Sequence, residues 1–101
     1  MTEHAEINTT AETLALTGVL GFVSVGELEP VGMRWLQEQA SAVCAVDLGA
    51  VSYSSSAGLA LLLAWLRAAT QLGKTLHIKN MPADMAALAK VGGLAELLPQ
   101  N

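Results

Sequence analysis

The stretch from Ala42 to Gly73 constrains this chain more than any other. It opens on AVCAV, a continuous apolar run with β-branched Val43 and Val46, the pattern of a strand covered on both faces or nearly so. Asp47 and Gly49 mark the expected end of that strand. Val51 and Tyr53 then lead into a serine cluster, Ser52 and Ser54 to Ser56, and Ala57–Gln71 reads as a helix with Gly73 as its stop signal. A buried strand feeding directly into an apolar helix needs further strands beside it and further helices over it. The chain must therefore be layered α/β.

The rest of the sequence supplies those elements. Ala5–Asn8 and Thr13–Leu20 read as strands, with Leu14 and Leu16 turned inward and the short polar Thr9–Glu12 link suited to a hairpin. A helix is expected from near Pro30 to Gln39, with Met33, Trp35 and Leu36 as its apolar side chains. Thr75–Lys79 alternates like a strand, Pro82 opens a third helix running to about Lys90, and Leu94–Leu98 suits one further turn. Short connections between alternating elements imply some parallel pairing within one domain, residues 1–101.

Composition narrows the function. Hydrophobic residues make up 52% of the chain and charged residues 14%, so it collapses readily and some apolar surface is expected to stay outside, as in a subunit of something larger. The area scaling predicts a folded surface of roughly 5,400 Å². A net charge of −4 argues against nucleic-acid binding, which needs basic residues to displace phosphate counterions. Cys44 is the single cysteine and His4 and His77 lack ligand spacing, so neither a disulfide nor a metal site is expected. The N-terminus has no signal-peptide pattern. Leu48–Leu66 is uncharged over nearly spanning length, but its first half is serine-rich and makes a poor span. A cytoplasmic protein with no direct membrane insertion is the expectation. No phosphate loop, Rossmann fingerprint or nucleophile elbow is present, so neither a catalytic residue nor a cofactor is assigned, and the chain is not expected to be an enzyme.

Two features carry candidate sites. Ser55 or Ser56 falls where the helix after the serine cluster begins, as an N-cap or as a regulated, partner-contacting hydroxyl. A phosphate there would meet free amides and the positive end of the helix dipole. Within that helix, Leu59, Leu62, Leu63 and Leu66 form one stripe, while Leu61, Trp65 and Ala68 fall on roughly the opposite side. Either both sides are buried within the monomer or Trp65 anchors an interface with Arg67 and Ser56 nearby; the second is the expectation carried forward.

The run VDLGAVSYSSSAGLALLLAWL resembles the signature of the STAS domain family: a strand ending in Asp, a short loop, then a hydroxyl residue at a helix start followed by Gly-Leu. TLALTGVL before it and GKTLHIKNMPADMAALAKVGGLAELLP after it fall in the family's order. The resemblance implies a small mixed β-sheet covered mainly by helices. Within the family the chain is most similar to the small cytoplasmic subunits of Mla-type phospholipid ABC transporters. That likeness implies an accessory role at the inner membrane, supporting lipid asymmetry of the outer membrane. Its partners would be the transporter's ATPase subunit and, through it, a permease and a lipid-binding subunit. Ser55, Ser56, Leu61, Trp65, Arg67 and Ala68 are the expected partner-binding residues. The alternative is an anti-sigma factor antagonist switched by phosphorylation of Ser56; those relatives usually carry Asp before that serine, where this chain has Ser55.

Overall fold

The structure is a computed structural model and describes residues 4–93. Its elements are β1 (Ala5–Thr9), β2 (Thr13–Leu20), α1 (Phe22–Glu38), β3 (Val43–Ser54), α2 (Ser56–Gln71), β4 (Thr75–Lys79) and α3 (Ala83–Val91). The strands form one sheet in the order β1-β2-β3-β4, antiparallel between β1 and β2 and parallel elsewhere. The total exposed surface is 5533 Å², close to the expected value.

The three helices form a single layer, with α2 packed against both α1 and α3. They cover the sheet face that carries Leu14, Leu16, Leu20, Cys44, Val46, Leu48, Leu76 and Ile78, all buried. Among the described residues no helix lies on the other face, where Glu6, Asn8, Val43, Thr75 and Lys79 are exposed. The apolar run in β3 therefore has helical cover on one side only. Ala45, on the open side, is nevertheless buried, flanked in register by Thr13 and His77.

Two boundaries differ from expectation. Helix α1 starts at Phe22, a full two turns before Pro30. Ser24 holds that start: its Oγ accepts the Gly21 N–H at 2.9 Å and donates to Val19 O at 2.8 Å. Pro30 sits inside the helix on an exposed face, one turn after Gly26, whose carbonyl loses its helical partner but is open to water. Strand β3 runs on past Asp47 to Ser54. Asp47 Oδ1 accepts the Gly49 N–H at 2.8 Å, and this local turn makes a bulge rather than an end, matching the register shift against β2 between Ala15 and Thr17. The turn expected at Leu94–Leu98 lies outside the described residues.

Candidate functional site: the N-terminal end of helix α2

The Ser55 N–H donates to Leu20 O at 2.9 Å, which fixes the exit of β3 against the end of β2. Ser55 is the N-cap of α2: its Oγ accepts the Ala57 N–H at 3.2 Å and donates to Leu20 O at 3.3 Å. The hydroxyl's donor and one of its two acceptor sites are thus spent on the fold. Ser54, buried beneath, donates to Ser55 O at 3.0 Å. Gly58 lies so close to Ser54 Oγ and Met85 Cε that any Cβ at this position would collide with the serine oxygen. These contacts set the first turn of α2 tightly onto the sheet and leave Ser56, its first residue, facing solvent.

Exposed apolar side chains gather around that end of the sheet. Tyr53 is 54% exposed and lines a groove of about 380 Å³ with Ser54, Asp84, Ala87, Leu88 and Val91. Leu88 and Val91 stand on the outer side of α3, while Met85 and Ala89 of the same helix are buried. On the α1 side, Phe22 and Val23 are exposed in the first helical turn. Among the described residues Asp84 is the one charged residue lining the groove.

Trp65 and Leu61 do not belong to this surface or to any other. Each is 1% exposed, and both sit in the core between helices. Trp65 packs against Gly32 of α1, where a Cβ would run into the indole ring, and its Nε1 donates to Glu29 O at 3.2 Å. The expected docking face of α2 is therefore an internal seam, because α1 covers it. Ala68 borders that seam and is half-buried. Arg67 is exposed, but eleven residues along α2 put it roughly 16 Å from Ser56. It lines a separate cleft of about 450 Å³ with Leu63, Leu66 and Lys74, whose Nζ donates to Leu36 O and Ala40 O. The expected residues thus fall in three places: Ser55 and Ser56 at one end of α2, Leu61 and Trp65 inside, Arg67 and Ala68 towards the other end.

Among the described residues two titratable groups are perturbed, and neither lines the groove. The Asn80 amide and the Gly49 N–H hold the Asp47 carboxyl below its ordinary range. Burial pushes the Cys44 thiol up, with Lys74 opposing. Among the described residues no group of His, Cys, Asp or Glu could hold a metal, and no helix is long and apolar enough to cross a membrane.

A family model described as "Mlab, STAS domain" matches residues 4–99. The chain belongs to the STAS domain family. The fold is similar to that of the anti-sigma factor antagonist SpoIIAA in its unphosphorylated form, with a TM-score of 0.75 at 16% identity over 97% of this chain and 88% of that one. The Bacillus cell fate determinant SpoIIAA in its phosphorylated form matches with a TM-score of 0.69 at 18% identity, over 97% and 91%. An anti-sigma factor antagonist from Mycobacterium paratuberculosis matches with 0.73 at 15% identity, over 98% and 85%. No curated protein matches the chain by sequence. The STAS fold and the MlaB-type family description agree with the sequence reading.

Tyr53, Leu88 and Val91 were not among the residues expected to bind a partner. The signal was present: α3 carries apolar residues on two sides, and a nine-residue helix lying on one surface buries only one of them.

Proposed function

We propose that this STAS domain is a non-catalytic accessory subunit of an Mla-type phospholipid ABC transporter. In this reading it binds the transporter's ATPase subunit through the N-terminal end of α2, at the cytoplasmic side of the inner membrane. Through the ATPase it supports a permease and a lipid-binding subunit in maintaining outer-membrane lipid asymmetry. The observation that carries the reading is the exposed apolar groove of Tyr53, Leu88 and Val91, which Ser54 also lines, two residues before the solvent-facing Ser56. Apolar surface of this kind around a neutral hydroxyl suits a protein partner that excludes water from it. The MlaB-type description of the matching family model supports the choice of partner. Ser56→Asp leaves the Ser55 cap in place and puts an unpaired charge in the contact, so it is expected to weaken binding by tenfold or more. Titration calorimetry with an Mla-type ATPase subunit from the same organism tests it; absence of any complex with the unaltered chain overturns it.

A second reading is an anti-sigma factor antagonist switched by phosphorylation. The position of Ser56 favours it, exposed on the first turn of α2 where a phosphate would meet the helix N-terminus. Incubation with ATP and an anti-sigma kinase from the same organism, followed by mass spectrometry of the Ser56 peptide, distinguishes the two. Phosphate on Ser56 supports the switch, and an unmodified peptide excludes it for that kinase.

A further inference from the structure

Strand β1 is one of the two outer strands of the sheet, and among the described residues nothing pairs with its far side. The Val19 N–H donates to His4 O and the Thr10 N–H to Thr13 O, so the even-numbered residues of this segment spend their backbone groups on β2. The N–H and C=O groups of Ala5, Ile7 and Thr9 then point outward by strand alternation. All three residues are only half-buried. An edge of this kind is a template for another strand.

The helix beside that edge selects the strand. Glu27, Val31 and Arg34 lie at i, i+4 and i+7 on α1, along one side of the helix. Glu27 shares a pocket with His4 and Ala5 at the start of β1, while Val31 and Arg34 share one with Thr9 at its end. Neither Glu27 nor Arg34 has an ion-pair partner among the described residues, and Val31 is 40% exposed. We infer that β1 is a homodimer edge: two copies join their β1 strands antiparallel about a two-fold axis at Ile7.

That operation sets Ala5 opposite Thr9 of the second copy and Ile7 opposite Ile7 of the second copy. Every outward backbone group then gains a partner. On the open sheet face Glu6 meets Asn8 of the second copy, so no like charges oppose. On the helix side the start of β1 lies across from its end. Glu27 therefore faces Arg34 of the second copy, twice by symmetry, with the two Val31 side chains between. The midpoint of Glu27 and Arg34 falls next to Val31 just as the midpoint of β1 falls on Ile7, so one axis serves both layers. Helix α1 packs over both β1 and β2. Across a new strand spacing of about 4.8 Å the two α1 helices would lie roughly 10 Å apart, the usual distance of packed helices. The pairing is isologous and closes as a dimer rather than a fibre. It leaves the end of α2 uncovered, so it stands or falls independently of the proposed partner.

Sedimentation equilibrium of the purified chain, joined to amide exchange followed by NMR, tests this. The expected mass rises from 10.5 kDa towards twice that value with concentration, and the Ala5, Ile7 and Thr9 amides exchange more slowly as it does. Arg34→Glu is expected to weaken the dimer about tenfold, and adding Glu27→Arg to it restores the affinity by exchanging the charges. Both positions are exposed, and circular dichroism confirms that the variants fold. A lone 10.5 kDa species up to about 0.5 mM overturns the proposal. So does a dimer whose β1 amides stay unprotected, or one in which the double variant is no tighter than Arg34→Glu.

Discussion

Helix α2 touches apolar surface at two places with opposite outcomes. Midway along it, Trp65 meets α1, and the contact is closed: the indole is 1% exposed and its N–H is bonded. At its N-terminus, the apolar side chains of β3 and α3 stand apart, and the groove between Tyr53, Leu88 and Val91 is open. The difference lies in the neighbours rather than in the apolar residues themselves. Gly32 has no side chain and lets the two helices approach until the tryptophan lies between them. Helix α3 spends Met85 and Ala89 on the core and turns Leu88 away from it. A large exposed aromatic is a binding feature only where nothing in the same chain has been shaped to receive it.

The closed contact should break hardest. Trp65→Ala removes one of the largest fully buried side chains and is expected to lose about 3–5 kcal/mol of stability in urea denaturation. Binding to the proposed ATPase partner, measured on the fraction that stays folded, should change little. The reverse outcome, weak binding with an unchanged midpoint, would return Trp65 to the surface. Gly32→Ala attacks the same contact from the other helix and should lose about 1–3 kcal/mol, since the ring must move to admit a methyl group. Because the two residues touch, the double variant is expected to lose less than the sum of the singles, and strict additivity would show that they act separately.

The same contrast explains what was legible beforehand. The strand limits Thr13–Leu20 and Thr75–Lys79 came directly from alternation, a local property. Helix α1 was read short because FVSVGELEP combines β-branched residues, glycine and proline, all poor in isolated helices. Tertiary packing of Val25 and Leu28 overrides that preference. The length of β3 was hidden by Asp47 and Gly49, which read as a stop yet form a bulge within a paired strand. At the site, Ser55 and Ser56 were placed correctly at the helix start, though which one caps depended on a single bond. The burial of Trp65 rests on a glycine thirty-three positions earlier on another helix. No window along the chain contains that fact.

The open end offers a smaller effect. Ser55→Ala removes the acceptor for the Ala57 N–H and the side-chain tie to Leu20 O, leaving the backbone one, and should lower stability by about 0.5–2 kcal/mol. Ser56→Ala, one residue on, should leave stability nearly unchanged, because Ser56 is not the cap. Equal losses in the two variants would mean that the cap is shared and that Ser56 is less free to meet a partner.

An effect on the fold as small as that of Ser56→Ala is expected at Leu88. Its side chain stands at the rim of the groove, 43% exposed, so Leu88→Glu removes little core contact and the new carboxylate remains in water. Thermal unfolding should shift by no more than the equivalent of about 0.5 kcal/mol, the usual range for a surface change. The same variant places a charge where a partner would have to dehydrate it, so its affinity for the ATPase subunit should fall by tenfold or more. A pair of experiments on one protein thus reads both terms of the comparison. If Leu88→Glu lowers the melting point as much as Gly32→Ala, then α3 is held by that residue and the groove is a closed contact of the fold, as the Trp65 seam is. If stability and binding are both unchanged, the partner approaches from the Phe22 and Val23 side of Ser56, and the docking face must be redrawn around the start of α1.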